Sequence, residues 1–296
     1  MATGTIDVFD HYAHEDDYPD LDADGAVARL ARAIACRTIY TTPEETDFSP
    51  FDALLELIRT SYPHVMAAGM LELVGHSILI GIPGSDPTLE AAQLMAHQDV
   101  VPVVPGTESL WEHGAFEGFV DDEYVWGRGA LDIKDMLMGE LEAVDYLLAH
   151  LGRPRRGIYL AFGEDEEVTS RGATRLASEM RRRGIRLAWL LDEGTTTMFD
   201  GAAYGAPSTT LSDICISQKG YLNVILSAHG VGGHSSNPFG GTSLERLVCA
   251  LADVARSKPA PQLTPIVRDT FRTLARYITE EPFRSLVTDV DANANA

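Results

Sequence analysis

The stretch Met95-Ala96-His97-Gln98-Asp99-Val100-Val101-Pro102 is the part of the sequence from which the fold is inferred. Its apolar start predicts a buried strand over residues 94–101, and Pro102 cannot continue a hydrogen-bonded ladder. Alternate side chains of a strand point to the same side, so we expect His97 and Asp99 to face the same way near a strand end. An imidazole beside a carboxylate suits a metal site, but a hydrogen-bonded pair at a loop is the simpler explanation of these two residues alone.

Three acidic clusters follow, each at a predicted strand or turn boundary. They are Asp132 with Asp135, the run Glu164-Asp165-Glu166-Glu167, and the pair Asp192-Glu193. Because the carboxyl ends of parallel strands meet at one edge of an α/β sheet, we expect these side chains to converge there. Carboxylates with an imidazole bind divalent cations such as Zn²⁺, and this mixed set does not distinguish zinc from cobalt or manganese.

The spacing of apolar residues predicts an alternation of helices and strands. Helices are predicted over residues 22–36, 50–62, 132–151, 170–184 and 242–256, and strands over residues 77–82, 94–101, 157–162, 186–191, 209–218 and 220–228. This order indicates an α/β sheet with its site at the carboxyl edge. Asp132 can also be explained as a helix N-cap, and a cap and a metal ligand are compatible roles.

Composition narrows the class of protein. The chain has 296 residues with a formal net charge of -21, which argues against nucleic acid and anionic membranes as partners. Its three cysteines, at positions 36, 215 and 249, are widely spaced, which favours a reducing compartment. No secretory signal is recognisable, and no apolar run approaches the about 20 residues that span a bilayer. We therefore predict a cytoplasmic protein.

The motifs occur together in the order typical of one family. They are His97-x-Asp99-Val-Val-Pro, Trp126-Gly-Arg-Gly-x-Leu-Asp132-x-Lys, Gly163-x-Asp-Glu166-Glu167, Leu191-Asp192-Glu193-Gly194 and Gly233-His234-Ser235-Ser236. Over about residues 97–238 the chain resembles the co-catalytic zinc exopeptidases, which include aminoacylase, carboxypeptidase S, carnosinase and the bacterial glutamate carboxypeptidases. It is most similar to the carboxypeptidase S and N-acyl-amino-acid hydrolase branch.

The resemblance implies a fold, an activity and a partner. The fold would be a three-layer α/β/α catalytic domain over residues 1–208 and a partial α+β lid or dimerisation domain over residues 209–296. The activity would be metal-dependent hydrolysis of amide bonds in N-acyl amino acids or small peptides. A homodimer, formed through the second domain, is implied in the same way.

The resemblance also implies roles for individual residues. His97 would bind one zinc, Asp132 would bridge two zincs, and Glu167 would bind the second. A further ligand of the first zinc would come from Asp192 or Glu193, and the motif does not decide between them. The roles implied in catalysis concern three more residues: Glu166 as general base, Asp99 as the residue that orients His97 or tunes Glu166, and His234 as a contributor to a partner subunit's site.

The sequence departs from the family pattern at one point. The family usually supplies another histidine ligand near the C-terminus, and no histidine follows His234 here. We therefore expect a truncated form or a fragment of a longer enzyme. The alternative hypothesis is an incomplete or inactive homologue that retains a partial metal site and an association surface.

Overall fold

A computed structural model describes the chain in two compact units, Met1–Glu193 and Gly194–Ala296. The described residues are 18, 20–194, 199–207, 209–212, 214–216, 218, 220–234, 236, 241–258 and 262–293. The division between the units lies ahead of the expected boundary at residues 208 and 209. The assignment of one part to catalysis and the other to a lid or dimer contact stays a prediction.

The first unit alternates helices and strands as the sequence predicts. Its helices are α1 (Ala23–Ala35), α2 (Ser49–Ser61), α3 (Pro63–Ala68), α4 (Lys134–Leu151) and α5 (Arg171–Arg182). Its strands are β1 (Met70–Val74), β2 (Ser77–Ile82), β3 (Ala91–His97), β4 (Phe119–Val120), β5 (Val125–Trp126), β6 (Ile158–Gly163) and β7 (Leu187–Leu191). No described helix is both long and apolar enough to cross a bilayer.

Five of these strands form the central sheet, in the order β1-β2-β6-β3-β7. Strand β3 runs parallel to both β6 and β7, whereas β1 and β2 pair antiparallel. In this register His97 lies opposite Gly163. The segments that follow β3, β6 and β7 therefore leave the sheet at one edge, where α/β proteins place their sites.

Helices cover both faces of this sheet. On β2, Ile78 and Ile80 point into the core formed with α1 to α4, while Leu79 points to the opposite face. That opposite face packs against Leu176 and Met180 of α5. Burial of each such side chain contributes about 1.5–3 kcal/mol to folding. The packing confirms the three-layer α/β/α arrangement.

The ends of two helices show how the chain is fixed near the site. The side chain of Asp22 accepts a hydrogen bond from Gly25 N at 3.0 Å and so caps the start of α1. Asp132 does not cap α4, because the N-cap residue is Ile133 and makes no side-chain capping bond. The buried Lys134 Nζ instead donates to the carbonyl oxygens of Ala33 at 2.8 Å and Cys36 at 2.5 Å, which joins the start of α4 to the end of α1.

The predicted strand over residues 94–101 is wrong at both ends, since β3 begins at Ala91 and ends at His97. After His97, Gln98 N still donates to Gly163 O at 2.7 Å. Val100 N then donates to Thr38 O at 3.0 Å, which belongs to a loop and not to a strand. The change of partner ends the ladder, so Asp99 lies in a loop.

The second unit contains strands β8 (Phe199–Asp200) and β9 (Thr210–Leu211) and helices α6 (Ser243–Arg256), α7 (Pro265–Leu274) and α8 (Phe283–Thr288). Helix α6 confirms the prediction over residues 242–256, and Thr242 and Glu245 form a capping box at its start.

The predicted strands over residues 209–218 and 220–228 are wrong. Among the described residues of these ranges, only Thr210 and Leu211 belong to a strand. The apolar side chains that gave the pattern are exposed, for example 87% for Tyr221 and 88% for Ile225. A strand needs a hydrogen-bonded neighbour, and the described part of the second unit supplies none to residues 220–228.

Candidate metal centre

Three metal-binding side chains converge at the carboxyl edge of the central sheet. One donor atom each from His97, Asp132 and Glu193 lies within 4.8 Å of the other two. His97 ends β3, Asp132 precedes α4, and Glu193 follows β7. The parallel pairing of β3 with β7 brings His97 and Glu193 to the same edge, and the turn before α4 places Asp132 beside them.

The His97 imidazole is buried and held from one side. Its Nδ1 donates to the backbone oxygen of Asp99 at 2.9 Å and lies 3.3 Å from Asp99 Oδ1. Its Nε2 lies 3.2 Å from Asp132 Oδ1 and 3.9 Å from both Glu166 Oε2 and Glu193 Oε2. A proton fixed on Nδ1 leaves the Nε2 lone pair directed at the carboxylates, which is the tautomer that a metal ligand requires.

Asp99 is fully buried and accepts hydrogen bonds on both carboxylate oxygens. Oδ1 accepts from Glu166 N at 2.9 Å, and Oδ2 accepts from Glu167 N at 3.0 Å. Glu166 and Glu167 lie in a turn. One carboxylate therefore contacts the imidazole and fixes the backbone of the acidic turn.

The position of Asp132 depends on the glycines that precede it. Gly129 adopts a φ of +86°, and a Cβ at this position would lie 2.7 Å from Val100 Cγ1. Glycine accepts this φ and this close approach, whereas other residues strain there. Lys134 N donates to Gly129 O at 2.9 Å, which closes the turn that contains Asp132.

Burial and crowded charge shift several pKa values in this site. Burial lowers the pKa of His97. The hydrogen bond and charge of Asp99 and the charges of Glu193 and Glu166 raise it by more, so that the net pKa is about 9. Burial raises the pKa of Glu193 to about 7. It also raises the pKa values of Glu166, Glu167 and Asp192. A bound divalent cation stabilises the ionised form of such buried carboxylates and so lowers their pKa values again.

The donor chemistry fits a divalent cation. One imidazole nitrogen and two carboxylate oxygens are ligands that Zn²⁺, Co²⁺ and Mn²⁺ accept. Of the pair left open by the sequence, Glu193 lies in the cluster, whereas Asp192 Oδ1 accepts a hydrogen bond from Glu193 N at 2.9 Å.

The remaining predicted residue, His234, belongs to the second unit. It is exposed, and its Nδ1 lies 2.7 Å from Ser236 Oγ. Its expected contribution to a partner subunit's site stays a prediction.

Sequence reasoning missed two buried charged residues of α4, Lys134 and Glu140. Lys134 is fully buried and Glu140 is 8% exposed. The apolar spacing of α4 held a signal for Lys134, because the buried positions 137, 138 and 141 place residue 134 on the same helix face. Lys134 supports the turn of Asp132 by binding the carbonyl groups at the end of α1.

Comparison with known proteins identifies the family. The family model described as "Peptidase family M20/M25/M40" matches residues 93–285, which include every predicted site residue. The chain belongs to this family. Members of this family are metallopeptidases and related amidohydrolases, so the match agrees with the donor set at the carboxyl edge.

Several curated relatives are similar over much of the chain. The N-fatty-acyl-amino acid synthase/hydrolase PM20D1 of Xenopus tropicalis is 33% identical over 76% of this chain and 44% of its own length. The probable carboxypeptidase S-like 2 of Dictyostelium discoideum is 32% identical over 94% and 54%, respectively. Carboxypeptidase S of Saccharomyces cerevisiae is 35% identical over 72% and 38%. The chain spans about half the length of the curated relatives it matches.

Proposed function

We propose that this protein is a metal-dependent hydrolase that cleaves the amide bond of N-acyl amino acids or small peptides. The observation that carries the proposal is the convergence of His97, Asp132 and Glu193 within 4.8 Å. Membership of the M20/M25/M40 peptidase family supports it, as do the names of the relatives, which describe an N-fatty-acyl-amino acid hydrolase and carboxypeptidases.

In this proposal His97, Asp132 and Glu193 would hold one metal ion, and Glu167 and Asp132 would supply carboxylates to a second. Zinc is the proposed ion, with cobalt and manganese as chemically acceptable substitutes. When bound, divalent cations supply charge that polarises the scissile carbonyl and acidifies water. Asp99 acts as a positioning residue, because it contacts the His97 ring at 3.3 Å and fixes the turn that carries both glutamates.

Glu166 is the proposed general base. Its Oε2 lies 3.9 Å from Nε2 of His97, one of the proposed ligands. Burial raises its pKa, which makes the carboxylate a stronger base than an exposed glutamate. It removes a proton from the attacking water as the C–O bond forms. The same proton then passes to the leaving amine as the C–N bond breaks.

Three finer points belong to the proposal. His234 contributes to the site of a partner subunit, in a homodimer formed through the second unit. The location is the cytoplasm, which the widely spaced cysteines support. The alternative, an inactive homologue with a partial metal site, is less well supported because the family's acidic motifs are present from His97 to Glu193.

The test is hydrolysis by the purified chain loaded with zinc, cobalt or manganese. A panel of N-acetyl and N-octanoyl amino acids and a dipeptide is supplied, and release of the amino group is measured. We expect metal-dependent release that a chelator abolishes. Absence of release from every substrate with every metal, in protein that is folded and metal-loaded, would contradict the hydrolase and favour the inactive homologue.

A further inference from the structure

A cavity of about 460 Å³ lies beside the loop that follows β3, outside the ligand set. Its apolar lining includes Ile39, Pro102, Val103, Trp111, Ala115 and Phe116. This volume falls in the range of small-molecule sites, which are concave and mostly apolar. Nothing in the proposed chemistry uses this cavity, although it belongs to the same unit as the metal centre.

The walls of the cavity are bonded to the two segments that carry the proposed metal ligands. On one side, Thr38 accepts the Val100 N–H at 3.0 Å, and its hydroxyl donates to Gln98 O at 2.6 Å. The lining residue Ile39 adjoins Thr38, and Pro102 lies three residues after Asp99, a path of at most about 11 Å. The first wall therefore lies next to the His97 segment.

The second wall is connected to the segment that leads to Asp132. The carbonyl oxygen of Ala115 accepts the Arg128 N–H at 2.6 Å, four residues before Asp132. The Arg128 guanidinium carbon lies 5.2 Å from the centre of the Trp111 ring, so this wall is also packed against the Gly127-Arg128-Gly129 turn. The cavity therefore lies against two segments, the chain that continues from His97 to Pro102 and the turn that precedes Asp132.

The charges at the cavity favour an uncharged occupant. Glu108 and Glu117 also line it, and their carboxylates repel an anionic group. The Arg37 guanidinium carbon lies 4.8 Å from the centre of the Phe116 ring, so this charge is placed against an aromatic face. An N-acyl amino acid has an anionic carboxylate on one side of the amide and an uncharged acyl chain on the other, and the acyl chain matches this lining.

We propose that the cavity between residues 37–39, 102–103 and 111–116 is the subsite for the acyl chain of the substrate and selects medium or long apolar acyl groups. The inference rests on the proposed amidohydrolase function and adds the location and chemistry of one half of the substrate. Each buried methylene of the acyl chain tightens binding about fourfold. Chain length should therefore act on binding and on kcat/KM.

The test compares variants that fill the cavity with one that does not. Val103→Phe fills it from the first wall, and Ala115→Leu fills it from the second. The matched control is Val104→Phe, since Val104 is the next residue, is 63% exposed and does not line the cavity. The probes are N-acetyl-leucine and N-octanoyl-leucine, in hydrolysis by the metal-loaded protein and in calorimetric binding to the metal-free protein.

We expect the wild-type protein to prefer the octanoyl substrate. Each filling variant should lower kcat/KM for the octanoyl substrate, and weaken its binding, about tenfold. The values for the acetyl substrate should stay within about twofold, and Val104→Phe should change neither. Using two filling variants from opposite walls guards against misfolding of one of them.

The outcomes separate this inference from the proposed function. Hydrolysis with a chain-length preference that neither filling variant changes would overturn the subsite and leave the hydrolase intact. Octanoyl binding that both filling variants weaken, without hydrolysis of any substrate, would support the subsite and overturn the proposed function. Neither binding nor hydrolysis would overturn both.

Discussion

Asp99 Oδ1 accepts a hydrogen bond from the backbone N–H of Glu166 at 2.9 Å. The same oxygen lies 3.3 Å from His97 Nδ1. The proposed metal ligand and the proposed general base are therefore positioned by one buried carboxylate. Both oxygens of Asp99 accept backbone N–H groups, so a carboxylate fits this position and an amide, with one acceptor oxygen, does not.

Replacement of this carboxylate tests the link. Asp99→Asn preserves the size of the side chain, but its amide nitrogen cannot accept a hydrogen bond from Glu166 N or Glu167 N. We expect zinc affinity to fall about 10–100-fold, as for other residues that orient metal-binding histidines. Calorimetric zinc titration measures this change. Asp122→Asn, in an exposed turn, is the control, and equal affinities of the two variants would contradict the role of Asp99.

The pair Asp192 and Glu193 gives a second prediction. Glu193 Oε2 lies 3.9 Å from His97 Nε2, so Glu193→Gln removes a ligand carboxylate while its volume is kept. We expect Glu193→Gln to weaken zinc binding at least about tenfold more than Asp192→Asn does. Competition with a zinc-binding dye measures both variants side by side. A larger loss in Asp192→Asn would transfer the ligand role to Asp192.

The role of Glu166 as general base can be distinguished from a role as metal ligand, because loss of a base lowers kcat without lowering the zinc content. Glu166→Gln keeps the shape of the side chain and the backbone bond to Asp99 but cannot take up a proton. We expect kcat to fall about 10²–10⁴-fold with the zinc content unchanged. Elemental analysis and single-turnover assays of the same preparation measure the two quantities. Retained activity would show that another group is the base.

The buried carboxyl of Glu140 should make the stability of the fold depend on pH. Burial, followed by the charge of Asp192, raises the pKa of Glu140 from 4.5 to about 8. A raised pKa means that the folded state binds the proton more tightly, so its contribution to stability is present at low pH and is lost as pH rises from about 4.5 to 8. Glu140→Gln is uncharged throughout this range.

We therefore expect Glu140→Gln to match the wild type near pH 4.5 and to be more stable above pH 8, by on the order of 3 kcal/mol. Urea unfolding of the metal-free protein at several pH values measures the difference. Glu56→Gln, at an exposed position of α2, is the control. Parallel stability curves for Glu140→Gln and the wild type would contradict the burial of an ionisable carboxyl.

Local signals predicted much of the first unit. The strand over residues 77–82 matches β2, because its continuous apolar run is bounded by Pro83-Gly84 and buried on both faces. The acidic clusters at strand ends likewise indicated the edge where the site lies. These predictions depend on periodicity and on turn residues, which are properties of the sequence itself.

The errors arise where a distant segment decides the structure. Val100 bonds to Thr38, 62 residues earlier, so the end of β3 could not be predicted from its own residues. The apolar alternation of residues 220–228 has no paired neighbour among the described residues, and periodicity alone does not reveal that. The geometric choice between Asp192 and Glu193 likewise depends on how the chain leaves β7.

The most direct measurement is the metal content of the purified chain, by elemental analysis, beside the Asp132→Ala variant. Asp132 Oδ1 lies 3.2 Å from His97 Nε2, so its loss removes a central ligand and leaves the core of the sheet unchanged. We predict at least one zinc per chain in the wild type and a loss of bound zinc in a folded variant. Absence of zinc from both proteins after zinc loading, or equal zinc in both, would contradict a metal centre at this edge.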